Sequence, residues 1–236
     1  MLIAERPSND GQSFTPRHLF HLSGLALLLA WPLQAIGFIL HPASEEVHHV
    51  LYATYGPAHV ILFVSWVLAL LGLPGLYAWQ AQRAGRLGLA GYVLLILATA
   101  YHLYLLLYEA FATTTLASDP ATRSLVGEGP MAHGVERLGM IAMPLVLAFP
   151  IFGWAILRAG VLPRASAWLQ IAGLPAMIAS MIILEFVAPG AVEVIPIRIL
   201  YIVTFLGWAW GGFAIWTATR RESVATGSLT PSRPMA

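Results

Sequence analysis

The sequence predicts an all-α fold, a polytopic membrane bundle of six transmembrane helices, on three observations. Of 236 residues, 58% are hydrophobic and only 10% charged, where water-soluble domains run at about 25% charged. Six stretches are each long enough to cross a hydrocarbon core, which takes roughly 20 apolar residues. All six are continuously apolar, without the two-residue alternation of a barrel strand.

The first stretch, Leu19–Leu40, follows a leader of mixed charge that holds Glu5, Arg6, Asp10 and Arg17. Its apolar run is too long for a cleaved signal, so it reads as a retained helix. The second, Ala58–Trp79, opens just after Gly56-Pro57. The third, Leu87–Phe111, starts after Arg86 and carries Glu109 at its far end. The fourth, Gly139–Leu157, closes on Arg158-Ala159-Gly160. The fifth and sixth are Trp168–Val187 and Ile199–Thr217. Prolines 32, 74, 144, 150 and 175 fall inside these stretches, where a missing N–H and a ring clash predict kinks. The chain thus divides into a cytoplasmic segment 1–17, a membrane domain 18–218 and a tail 219–236. That tail lacks apolar periodicity and is expected to be disordered.

Arginine placement predicts the orientation. Nine arginines (6, 17, 83, 86, 158, 164, 220, 221 and 233) fall on one side and three (123, 137 and 198) on the other. Both termini are therefore expected in the cytoplasm. Every basic residue is arginine, which suggests a bacterial genome and hence the inner membrane. Eight of eleven acids and six of eight histidines collect at the opposite, outer end. The absence of cysteine removes thiolate metal sites, disulfides and cysteine nucleophiles. A net charge of +1 removes a broad nucleic-acid footprint. No phosphate loop, dinucleotide fingerprint, nucleophile elbow or His-Glu-x-x-His is present.

The middle four helices carry an internal likeness. Gly56-Pro57-Ala58-His59 and Gly129-Pro130-Met131-Ala132-His133 each introduce a helix that ends at Arg-Ala-Gly (83–85 and 158–160). Each tripeptide leads to a second helix ending in an acid, Glu109 or Glu185, with spacings that agree to one residue. The pattern predicts a parallel repeat of helices 2–3 and 4–5 about an axis along the membrane normal. Such an axis would gather His59, His133, Glu109 and Glu185 at the outer end. Imidazole and carboxylate together suit zinc, iron or manganese. Taken singly, each residue has an ordinary explanation: proline starts a helix, histidine tolerates an interface and glutamate snorkels outwards.

His102 lies about 22 Å from the inner edge of its helix, at a depth where polar groups normally face the bundle. Seven residues before Glu109, it shares nearly the same face and joins the candidate ligands. Tyr101, Tyr104 and Tyr108 flank that stripe. His59, His102 and His133 could alternatively serve a b-type haem, with His102 as the cofactor-binding histidine. Met177 and Met181 continue the Glu185 stripe and read as packing. Glu136 and Arg137 are expected to pair across the rim with Arg198 or Glu193. The segment His41-Pro42 to His48-His49, with Glu45 and Glu46, reads as a solvated outer loop. His18 and His21 are interfacial residues of the inner end.

Three functions follow as expectations. The first is a transition-metal site, His59, His102, His133, Glu109 and Glu185, acting on a lipid or another apolar small molecule with Glu109 or Glu185 as base. The second is a proton- or cation-coupled transporter, which with six spans would need to be a homo-oligomer. The third is a haem-binding or non-catalytic membrane subunit.

Overall fold

The structure, a computed structural model, describes residues 15–126, 129–188 and 195–227; the side chains of Ala132, Val135, Glu136 and 222–227 lie outside that description. The described residues form helices and no strands. Six helices are long and apolar enough to cross a membrane.

Helix α1 (Pro16–Leu40) starts on Pro16, whose missing N–H costs nothing at a helix N-terminus, and stops at His41, where Pro42 demands extended backbone. A four-residue α2 (Val47–Val50) follows, then α3 (Tyr55–Ala78). Helix α4 (Ala81–Leu107) runs into a π-helical turn, Tyr108–Thr113, and the short α5 (Thr114–Ser118). The fourth span is broken: α6 (Pro130–Ala142), a 3₁₀ stretch over Met143–Leu147, and α7 (Ala148–Ala159). Helices α8 (Arg164–Val187) and α9 (Ile195–Gly227) complete the chain.

Of the prolines, 32, 74 and 175 sit within continuous helices. Pro144 breaks one, because it cannot donate to the carbonyl four residues back and the chain tightens into 3₁₀ geometry. The last helix runs through Gly227, nine residues past the domain boundary expected at 218. Residues 1–14 and 228–236, the outer parts of the expected terminal segments, lie outside the described residues.

The spans form a ring in chain order: α1 on α3, α3 on α4, α4 on α7, α7 on α8, α8 on α9, and α9 back on α1. Small residues close it. A Cβ placed on Gly24 of α1 would come within 2.6 Å of the Gly212 carbonyl oxygen of α9, so these backbones touch. Hydrogen bonds stitch the same end: Ser166 donates to the Gly207 carbonyl (2.7 Å) and Trp208 Nε1 to Gln170 Oε1 (3.1 Å). Trp66, Phe149, Phe152, Phe205 and Trp208 fill the centre, all buried. Large apolar side chains also cover the outside, as at Phe186 (84% exposed) and Ile39 (81%). In a spanning bundle that surface meets lipid rather than water.

Candidate metal centre

Four side chains meet at the α2 end of the ring, each put there by a local feature of the chain. His41 caps α1, and its Nδ1–H donates to the Pro42 carbonyl (2.8 Å). His59, one turn into α3 and fully buried, donates Nδ1–H to the Tyr55 carbonyl (2.8 Å). A carbonyl only accepts, so in the neutral rings both Nε2 atoms are lone pairs. They face each other at 3.1 Å. Glu45, in the loop after α1, brings Oε1 to 3.3 Å from His41 Nε2, and Glu109 brings Oε2 to 3.2 Å from His59 Nε2. The ligand atoms of His41, Glu45 and His59 lie within 4.8 Å of one another, close enough for one metal ion. Glu109 owes its aim to the π-helical turn, a feature that re-orients side chains at functional sites.

A surrounding layer holds these groups. The buried Tyr55 hydroxyl donates to Glu45 Oε2, leaving Oε1 for the cluster. Burial pushes the Glu45 carboxyl up, but the hydrogen bond and charge of His41, with Tyr55 and His59, outweigh it and hold the group below the usual carboxylate range. Arg198 Nη1 donates to the Phe38 carbonyl (3.1 Å), and Nη2 to the carbonyls of His41 (3.1 Å) and Pro42. Nη2 also lies 3.0 Å from His41 Nδ1, but its two protons are already directed at those carbonyls. Arg198 thus clamps the end of α1; the rim pairs expected of Glu136 and Glu193 lie outside the described residues.

Below the cluster lies a cavity of about 500 Å³. His41, Glu45, His59, Glu109 and Arg198 line one end; Leu62, Leu106, Phe149, Met177 and Met181 are among its apolar walls. Seven residues inward from His41, His59 and Glu109 stand Gln34, Trp66 and His102, two turns or about 10 Å deeper.

His102 therefore lines the same cavity without joining the cluster. Its Nδ1–H donates to the Ala98 carbonyl (2.7 Å), its Nε2 accepts from the Tyr201 hydroxyl, and its ring stacks on Trp66 at 4.2 Å. Both nitrogens are engaged, which leaves no lone pair for a metal or an axial haem bond. Tyr101 lines the cavity, whereas Tyr104 is exposed and stacks on Tyr108.

Of the five sequence-predicted ligands, the fold brings together only His59 and Glu109. His133 and Glu185 are exposed and do not line the cavity, although Met177 and Met181 of the Glu185 stripe do. Among the described residues the predicted convergence of four pseudo-equivalent groups is absent, because no described side chain of α6 before Gly139 lines the cavity and α8 presents its methionines rather than its acid. Sequence reasoning left His41 and Glu45 out of the cluster by treating their loop as solvated. The signal was present: a histidine at a proline-terminated helix end with an acid four residues on. The remaining outer pairs are local, His48 with Glu46 (3.1 Å) and His49 with Ser44 (2.6 Å). At the other end of the bundle, His21 meets the Thr219 hydroxyl at 3.1 Å.

Compared with known protein families, curated proteins and solved structures, the chain matches none.

Proposed function

We propose that this multi-pass membrane protein holds a transition-metal ion between His41, Glu45 and His59, with Glu109 as a fourth ligand, above an apolar cavity that receives a lipid or another apolar small molecule. One observation carries the reading. Two imidazoles, each oriented by Nδ1–H on a backbone carbonyl, aim Nε2 lone pairs at each other and at two carboxylates. Acceptors crowded together around the buried His59, with Glu45 half exposed at the rim, repel unless a proton or a metal ion sits among them. A backbone carbonyl behind each histidine is also the usual outer partner of a metal-bound imidazole. Mixed nitrogen and oxygen donors suit zinc, iron or manganese. When bound, such an ion supplies Lewis acidity at the cavity mouth. Glu109, partly buried beside it, is the group of this chain that would hold a proton there.

The arginine distribution supports placing this end of the bundle outside and both termini in the cytoplasm, in a bacterial inner membrane. The repeat of helices 2–3 and 4–5 rests on the sequence landmarks. The glycines of both Arg-Ala-Gly segments, Gly85 and Gly160, take φ of +59°, but with ψ of −156° and 26°, so the two turns differ in conformation.

Elemental analysis of the detergent-purified protein, beside a His41→Ala/His59→Ala variant, tests the metal. About one equivalent per chain is expected in the first and none in the second. Equal, negligible metal in both, after incubation with zinc, iron(II) and manganese(II), overturns the proposal. An absorbance spectrum of the same batch tests the haem alternative: no haem is expected on His102, whose nitrogens are both engaged, and a Soret band would assign the free His59 Nε2 to haem instead of a metal ion.

A further inference from the structure

The cavity is asymmetric in a way that specifies its ligand. Its polar groups gather at the α2 end, and the body below them is mostly hydrocarbon and aromatic. A molecule seated there has a polar head at the membrane surface and an apolar body towards the bilayer centre, the posture of a lipid in one leaflet.

The charges say which head. Arg198 contributes +1; with a metal bound, Glu45 and Glu109 as ligands contribute −2, and imidazoles that give Nε2 to the ion are neutral. A divalent ion among them leaves the head end at +1, matched by one anionic oxygen group. An independent observation points the same way. Among the described residues, the buried side-chain nitrogens and oxygens without a partner belong to Gln34, Gln80 and Arg198. Gln80 lies in the turn between α3 and α4, at the opposite end of the bundle. The other two orphans, Gln34 Nε2 and Arg198 Nε, are donors, and both belong to residues lining the cavity. Gln34 is completely buried, and the Ser65 hydroxyl lies between its amide oxygen (2.9 Å) and the Ala30 carbonyl (2.8 Å). Both orphan donors lack an acceptor of their own, beside a cluster whose acceptors serve the metal.

The side facing lipid is thinly built. No residue described in α6 is buried, and in α8 none is buried beyond Gly173. Met143 and Met181 line the cavity and are themselves exposed (64% and 42%). A chain can pass between these helices from the bilayer without crossing water.

We infer that the cavity binds a single-chain amphiphile with a monoanionic carboxylate head, the head seated at the metal and Arg198 and the chain lying along Leu106, Phe149 and Met177. The inference rests on the metal reading above for its charge balance, and the test separates the two.

Tritiated decanoate, decanol and decane are titrated onto the protein in lipid nanodiscs, with empty discs as blank and metal content measured on each sample. Metal-loaded protein is expected to bind decanoate at least tenfold more tightly than decanol, and decane more weakly still. Gln34→Leu and Arg198→Gln are each expected to erase most of that preference. Gln34→Leu is the decisive variant should Arg198→Gln, which frees the end of α1, fail to fold. Equal affinity for decanoate and decanol in folded, metal-loaded protein overturns the inference, as does a full decanoate preference in Gln34→Leu. If the protein takes up no metal, the metal reading falls alone. A decanoate preference in that sample then upholds the carboxylate subsite on Arg198 and the orphan donors, and its absence removes that too.

Discussion

Two regions of this molecule share their sequence landmarks and differ in what the fold makes of them. In the α3–α4 region, Gly-Pro, histidine, Arg-Ala-Gly and acid give a continuous helix, a turn and a second helix whose π-helical turn delivers Glu109 to His59 at 3.2 Å. In the α6–α8 region the same landmarks in the same order give a helix interrupted at Pro144 and a second helix whose acid is exposed. In one region a buried histidine meets a partly buried acid; in the other both are exposed. Spacing along the chain conserves distance from a turn; it does not conserve which way a helix face is rotated, and a binding site is made of rotations.

The comparison breaks most sharply at the histidines. His59→Ala is expected to weaken metal binding by more than about 100-fold, beyond the 10–100-fold usual for losing an outer partner of a ligand. His133→Ala is expected to leave it unchanged. Competition titration of both against a fluorescent zinc chelator reads the difference, and a comparable loss in His133→Ala would restore the four-residue convergence.

Chelation is next in size. A ligand at a hundredfold excess over its Kd stabilises a native state by about 2.7 kcal/mol. EDTA is therefore expected to lower the melting temperature of wild-type protein and to leave that of His41→Ala/His59→Ala in place. Thermal unfolding followed by tryptophan fluorescence checks this.

The acids sharpen the contrast further. Glu109→Gln keeps size and hydrogen bonding but removes the charge, and is expected to cost about tenfold in metal affinity, or roughly 1.4 kcal/mol. Glu185→Gln is expected to cost nothing measurable in the same titration.

The smallest contrast is between the two turns. Gly85 and Gly160 share a φ of +59° but have ψ of −156° and 26°, and a Cβ on either would meet no neighbour within 4 Å. Alanine at Gly160, in the left-handed helical region, is expected to cost about 1–2 kcal/mol, and alanine at Gly85, in a region that glycine alone adopts readily, is expected to cost more, up to about 3 kcal/mol. Denaturant unfolding of Gly85→Ala and Gly160→Ala reads the difference, and equal losses would mark the turns as equivalent.

The site was partly legible before the fold. His59 and Glu109 stood out because each sits at a helix end with a companion pattern, and His102 because its depth in an apolar span is costly. Gln34 and Arg198 carry the same signal, a polar group inside or at the edge of an apolar run, and could have been read with it. His41 and Glu45 could not be joined to His59 by any spacing. Their meeting depends on α1 packing along α3, and that contact is set where Gly72 and Gly75 admit Leu27 and Ser23. Tyr201 reaches His102 from 99 residues away only because the ring closes.

By itself, the sequence determined that the chain has six helices long and apolar enough to cross a membrane, and where each falls. Those properties are sums over neighbouring residues, and the transfer of an apolar stretch into hydrocarbon is indifferent to what lies beside it. Only the tertiary structure decided which polar groups face one another. That choice turns on helix rotation and on contacts between residues far apart in the chain, neither of which a local sum contains.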